Sequence, residues 1–225
     1  MLWSQKDLGA REAFGLRMTR RYLQAFDVSS AASATPSKMA ARNFIAALWE
    51  DGFLFRGDHL QSMAFLVNPA DRALAQSQVR EMLSAARDRK LELHVLNARS
   101  ESDFDAVFAE IKRLRVGGLV IGAGSIFISG RKKLADLTIR HAVPATSQYR
   151  DFAAAGGLMS YGSDILDSYR LAGVYTGRVL KGENPAELPV VQATKFELII
   201  NLKTAKALGI SVPPSMQARA DEMIE

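Results

Sequence analysis

Two short clusters hold the residue types best suited to chemistry. Gly122-Ala123-Gly124-Ser125 and Tyr161-Gly162-Ser163-Asp164 each follow an apolar run. A glycine-rich turn after a strand lets a ligand approach the backbone, and a helix start beyond it offers N–H donors. The other reading of Gly122–Gly124 is a tight turn with no ligand. The dinucleotide pattern G-x-G-x-x-G fails at its third glycine, because position 127 is Phe127. A phosphate loop is absent too, since Gly130 is followed by Arg131-Lys132 without the required spacing or hydroxyl. Gly162-Ser163-Asp164 does not satisfy G-x-S-x-G. Ser163 or Asp164 either caps the next helix or faces a ligand with Tyr161. In the second case the helix start suits an amino-acid carboxylate, Tyr161 suits an aromatic ring, and Asp164 suits an ammonium.

No reactive constellation accompanies these clusters. There are no cysteines, which excludes disulfides, thiolate metal sites and a cysteine nucleophile. The histidines, His59, His94 and His141, are scattered, with neither an H-E-x-x-H pattern nor acidic residues at metal-ligand spacing. His94 alternates with apolar neighbours and reads as a core or edge-strand histidine rather than a ligand. No histidine–acid pair presents itself for general acid–base work. The expectation is a chain without catalytic residues, metal or cofactor. The net charge of +5 is spread along the chain. Its two basic clusters, Arg17/Arg20/Arg21 and Arg131/Lys132/Lys133, read as solvated faces rather than a nucleic-acid footprint.

The elements that must position the clusters show a regular rhythm from Met63 onward. Met63–Val67 (MAFLV) is continuously apolar and predicts a strand covered on both faces. Asp71–Arg89 predicts a helix with Val79, Met82, Leu83 and Ala86 on one face. Leu91–Leu96, Gly117–Ile121, Val143–Ser147 and Leu158–Tyr161 predict further strands. Ser100 and Asp103 form an S-x-x-D helix start, followed by Phe104, Val107, Phe108, Ile111 and Leu114 at helical spacing. Further helices are expected over Lys132–Arg140 and Asp164–Leu180; Gly173 and Gly177 in the latter predict close packing on a neighbour. Phe196, Leu198, Ile200 and Leu202 alternate with Glu197, Ile199 and Asn201 and predict a strand with one apolar face, Lys203–Leu208 a short helix, and Pro213-Pro214-Ser215 the start of a final helix toward Glu225. Strands alternating with helices at this spacing imply an α/β, Rossmann-like parallel sheet with helices on both faces. Ligands of such sheets bind at the carboxyl ends of the strands. That rule selects Asn68, Asn97, Gly122–Ser125, Ser147–Tyr149 and Tyr161–Asp164.

The first 62 residues differ. Asp27–Ser37 is rich in Ser and Ala and reads as a linker, and Thr35-Pro36-Ser37 reads as a helix start leading into Met39–Trp49. The chain therefore divides into an atypical segment, 1–62, and a lobe, 63–225. Met1–Phe26 lacks the apolar core of a signal peptide and no run reaches membrane-spanning length, so the chain as written is expected in the cytoplasm, without membrane insertion.

GGLMSYGSDILDSYRLAGVYTGRVLKG at Gly156–Gly182, and the segment from Leu188 to Glu225, resemble the C-terminal half of ABC-transporter substrate-binding proteins of the tryptophan/tyrosine type. FLVNPADR, LELHVLNARSESDFDAVFAEI and GGLVIGAG resemble it as well. The resemblance implies a type I periplasmic-binding-protein fold. In it two lobes close on a small solute, often an amino acid, and pass it to an inner-membrane ABC permease from the periplasm. It implies that Asn68, Gly124, Ser125, Tyr161, Ser163 and Asp164 face the cleft. It further implies that the Asp164–Leu180 helix packs on the first lobe, which the segment 1–62 would represent incompletely. The rival expectations are a cytoplasmic ligand sensor of repressor type, an α/β enzyme, and a non-functional fragment.

Overall fold

The computed structural model describes residues 62–88, 90–189 and 196–225. These lie in a single compact unit, 36–225. The expected linker at Asp27–Ser37 and helix at Met39–Trp49 fall outside the described residues.

The central strand β1 (Ser62–Val67) is flanked by β2 (Glu92–Asn97) and β3 (Leu119–Ile121), both parallel to it. Beyond β3 come β4 (Ala145–Ser147) and β5 (Met159–Ser163), again parallel. β6 (Phe196–Asn201) joins β5 antiparallel, and β7 (Glu222–Ile224) joins β6 parallel. The order is β2-β1-β3-β4-β5-β6-β7. The fold is therefore the expected α/β sheet, with one antiparallel step.

The continuous apolar run of β1 is explained by cover on both faces. Met63, Phe65 and Val67 point to one layer, and Ala64 and Leu66 to the other. The first layer is closed by Met82, Ala85 and Ala86 of α1 (Arg72–Asp88), Ala205 of α7 (Leu202–Ala207) and Met216 of α8 (Pro214–Gln217). The second is closed by α2 (Phe104–Leu114), α3 (Ser125–Ser129), α4 (Arg131–Arg140) and α5 (Arg150–Ala154). Phe104, Val107, Phe108 and Ile111 are all buried, as their spacing predicts. On α1 the buried residues are Gln78, Met82, Ala85 and Ala86, while Leu83 is exposed. The inward face is thus rotated from the expected one and includes a polar residue.

Two expectations need correction. The chain does not end in a helix toward Glu225. α8 stops at Gln217, and Glu222–Ile224 pairs with β6 as β7. Asp221 makes the difference: its carboxylate accepts the Leu198 N–H at 2.7 Å and its own N–H donates to the Leu198 carbonyl at 2.9 Å. Arg150 of α5 then pairs with Glu222 at 2.6 Å. Open backbone groups on β6 override the local preference that the prolines set. Second, β6 was expected to have one apolar face, yet Leu198, Ile199 and Ile200 are all buried. α6 (Ile165–Leu180) has no buried residue, and a Cβ at Gly173 or Gly177 meets nothing within 4 Å among the described residues; the segment expected to pack on it lies outside them.

The helix start at Ser100–Asp103 forms as expected. The Asp103 carboxylate accepts the Arg99 N–H at 2.7 Å and the Ser100 N–H at 3.0 Å. These two backbone donors hold its carboxyl below the usual carboxylate range, Arg99 contributing most. A lowered folded-state value means the contribution is complete above the unfolded value near 4 and is lost as pH falls through the folded one. Asp103→Ala is therefore expected to lower Tm at neutral pH, and the gap from the parent to close as pH is taken below the carboxylate range. Thermal unfolding followed by circular dichroism from pH 7 to pH 2.5, about the range of carboxylate titration, checks this.

Candidate ligand site at the strand tips

The pairing register levels the tips. Leu66, Ile121, Ser147 and Ser160 are successive partners across β1, β3, β4 and β5. Two residues further along each strand come Asn68, Ala123, Tyr149 and Gly162. All are at one edge of the sheet. The chain leaves β1 for β2 and returns past it to β3, so the helices after β1 and β3 lie on opposite faces, the position at which open α/β sheets take ligands.

Asn68 and the Gly122–Ser125 loop meet there. A Cβ at Gly124 would sit 3.8 Å from the Asn68 Cβ and 3.3 Å from the Phe127 ring. Asn68 is half-buried, and its Oδ1 accepts the Ala70 N–H at 3.0 Å, which turns the chain into α1. Ser125 is exposed and opens α3, which is only five residues long. The Gly124 carbonyl accepts from Phe127 and Ile128 at 3.1 and 3.3 Å. The loop itself is held from below. Gln78 of α1, 7% exposed, accepts the Ala123 N–H on its Oε1 at 2.9 Å and directs its Nε2 at the Ala123 carbonyl at 3.4 Å.

Tyr161, Ser163 and Asp164 form the second group, at the β5 tip and separated from the first by the tip of β4. Tyr161 is half-buried; its ring stacks on Phe196 with centroids 5.9 Å apart and packs against the first core layer. Ser163 is exposed. Asp164 is the N-cap of α6, where its Oδ1 accepts the N–H groups of Leu166 at 2.9 Å and Asp167 at 3.1 Å. The capping role is thus present at Asp164, not Ser163. Gly162 presses on the β4 loop, where a Cβ would collide with the Gln148 carbonyl oxygen. Gln148 lies within Ser147–Tyr149, which the strand-tip rule selects. The residue that sequence reasoning missed is Gln78, which had a signal: it lies four, seven and eight positions before Met82, Ala85 and Ala86, a polar residue on an inward stripe.

His94, on β2, lies 3.4 Å from Glu92, and the His141 ring packs at 5.4 Å from Phe108. His59 lies outside the described residues. Among the described residues, no group of three or more acidic or histidine side chains could hold a metal ion, and no helix is long and apolar enough to cross a membrane.

A mostly parallel sheet in this order, with its loops gathered at one edge, defines a periplasmic-binding-protein-like α/β lobe. The chain belongs to the ABC transporter substrate binding protein family, whose model matches residues 59–224. That family is one of binding proteins. No curated protein matches the chain. Among solved structures it is similar to a conserved domain protein from Vibrio cholerae, at 20% identity and TM-score 0.70, covering 84% of this chain and 60% of that one. It is also similar to an ABC domain in complex with L-Trp from Streptococcus pneumonia, at 22% identity and TM-score 0.69, covering 84% and 62%. A LacI family transcriptional regulator from Bifidobacterium animalis shares the fold more distantly, at 13% identity and TM-score 0.55, covering 72% and 59%. The chain therefore spans about three-fifths of the length of these structures.

The two kinds of glycine environment separate in a stability measurement. Gly162→Ala is expected to cost about 1–3 kcal/mol, because the methyl displaces main chain rather than a mobile side chain. Gly173→Ala, where a Cβ meets nothing, is expected to gain about 0.5–1 kcal/mol through the backbone entropy of the unfolded chain. Urea unfolding of both variants checks the contrast, and a loss at Gly173 would mean that something packs on it.

Proposed function

We propose that the chain is the solute-binding component of an ABC importer and takes an amino acid or related small solute at the strand tips. The observation that carries this is the level row of tips, with Asn68 against Gly124 at the tips of β1 and β3. Asn68, Gly124 and Ser125 form one side of the site, and Tyr161, Ser163 and Asp164 the other. Main-chain amides and the Asn68 amide suit the carboxylate of the solute, and Asp164 suits its ammonium. The site works by binding and release, without cofactor and without catalysis. Residues 63–225 act as the second lobe, with 1–62 as a remnant of or substitute for the first. The partner is a membrane permease, and the working location is the periplasm.

A differential scan with each of the twenty amino acids, at about a hundredfold excess over Kd, is expected to raise stability by about 2.7 kcal/mol for the cognate solute. For a chain of this size that is a rise of roughly 5–10 °C in Tm. No shift with any amino acid or close derivative would favour a fragment that no longer binds. Salt-dependent retention on duplex DNA would instead favour a sensor of repressor type, which shares this fold.

Asp164 is tested apart from its cap. Asparagine caps a helix as well as aspartate does, so Asp164→Asn is expected to keep the Tm of the unliganded chain. Loss of the charged hydrogen bond to the solute ammonium is expected to weaken Kd by about ten- to a hundredfold. An unchanged Kd, read by calorimetry, would reduce Asp164 to a helix cap.

A further inference from the structure

We infer that Gln78 is a positioning residue for this site: its side-chain amide clamps Ala123 and sets the Gly122–Ser125 loop in its ligand-ready shape. The inference rests on the binding function proposed above and assigns it a residue that touches no ligand.

A glutamine in this position needs a reason. It lies on the inward face of α1 with Met82, Ala85 and Ala86, where an apolar residue would cost nothing to bury. Its amide is buried against a loop 45 residues away, and it engages both main-chain groups of one residue. One bond is well formed, with the Ala123 N–H at 2.9 Å; the other, to the Ala123 carbonyl, is longer at 3.4 Å. A single residue pinned through its N–H and its C=O loses rotation of both flanking peptides. The neighbour on the strand side is matched to the clamp. A Cβ at Gly122 would lie 2.5 Å from the Gln78 Oε1 and 2.9 Å from the Leu66 carbonyl oxygen, so only glycine lets the loop sit down on the amide. The Gly122 N–H completes the anchor by donating to Leu66 at 2.9 Å.

The consequence falls on the next residues. With Ala123 turned inward to Gln78, Gly124 and Ser125 are carried over the β1 tip, where Gly124 stands against Asn68. A loop that is ordered before the solute arrives spares the ordering cost on binding. Gln78 therefore acts on affinity through the loop.

The test uses the full chain and three variants. Gln78→Met keeps the volume and removes both hydrogen bonds. Gln78→Glu keeps an acceptor for the Ala123 N–H. Gln78→Ala shows the effect of lost packing. Hydrogen exchange read residue by residue by NMR, without solute, is expected to show the Ala123 amide exchanging roughly tenfold faster in Gln78→Met, the scale of one lost hydrogen bond. Val120, on the strand below, is expected to keep its protection, and Gln78→Glu to retain most of the protection at Ala123. Binding of the twenty amino acids by calorimetry is expected to give a Kd weakened by about tenfold in Gln78→Met and only partly restored in Gln78→Glu, whose second oxygen cannot donate to the Ala123 carbonyl. Unchanged Ala123 protection in Gln78→Met overturns the clamp. Lost protection with an unchanged Kd overturns the positioning role and leaves a structural one. Equal loss of protection at Val120 and Ala123 overturns it too, since that reports general destabilisation. A parent chain that binds none of the probes refutes the binding function, and the positioning role falls with it. That result is distinct because the parent itself is then silent.

Discussion

A parallel strand buried on both faces has no freedom over where it ends. Its N–H and C=O groups must all be met by neighbours running the same way, and its side chains must fill two layers at once. In β1 the neighbours supply this at each level. Gly117 donates to Ser62 at 2.9 Å, Ala64 donates to Gly118 at 2.9 Å and Gly122 donates to Leu66 at 2.9 Å. A slip of one residue would exchange Phe65 with Leu66 between layers that differ in shape, so the register is strongly specified. Once β1 is set, β3, β4 and β5 follow it in direction and level. Their loops then have to emerge together. The candidate site is the residue of that constraint: it lies where parallel strands stop and the backbone turns away.

This is why backbone and small residues dominate at the tips. Each loop has to leave the sheet within two or three residues and pass its neighbour closely. Gly122 does so over Gln78, Gly124 beside Asn68, and Gly162 under the carbonyl of Gln148. Polar side chains there also turn the chain. Asp164 closes the start of α6 and Asn68 the turn into α1. Such a surface suits a solute held by directional hydrogen bonds, as the proposed function requires.

Much of this was legible in the sequence, for identifiable reasons. An apolar run without alternation marks a strand covered on both faces, and β1 is one. Phe104, Val107, Phe108 and Ile111 mark a helix face, and α2 buries all four. The tips followed from alternation of strand and helix alone. What failed shares one cause: it depended on partners far along the chain. β7 forms because β6 leaves Leu198 open to Asp221, and a local reading of Pro213-Pro214 sees only a helix start. The clamp of Gln78 on Ala123 spans 45 residues. The register of Gly162 against the β4 loop comes from β5 pairing with both β4 and β6. Periodicity reports which face of an element is inward, and says nothing of what waits there.

α6 shows the same limit from the opposite side. Its apolar residues at helical spacing, Ile165, Tyr169 and Val179, predict an inward face, and among the described residues they are 52%, 70% and 39% exposed. A helix of sixteen residues that buries nothing gains little beyond its own hydrogen bonds and is marginal in water. Its ends are correspondingly well closed. Asp164 takes two N–H groups at the start. At the other end Gly182, with φ of +96°, adopts the left-handed turn, and Glu183 donates back to the Arg178 carbonyl at 3.2 Å while its carboxylate pairs with the Arg178 guanidinium at 2.6 Å. Caps of this kind contribute about 1 kcal/mol each, enough to hold a helix in shape and far less than a packed face supplies. Asp164, which closes this helix, directly follows β5, so the start of α6 and the tip of that strand are set by one residue.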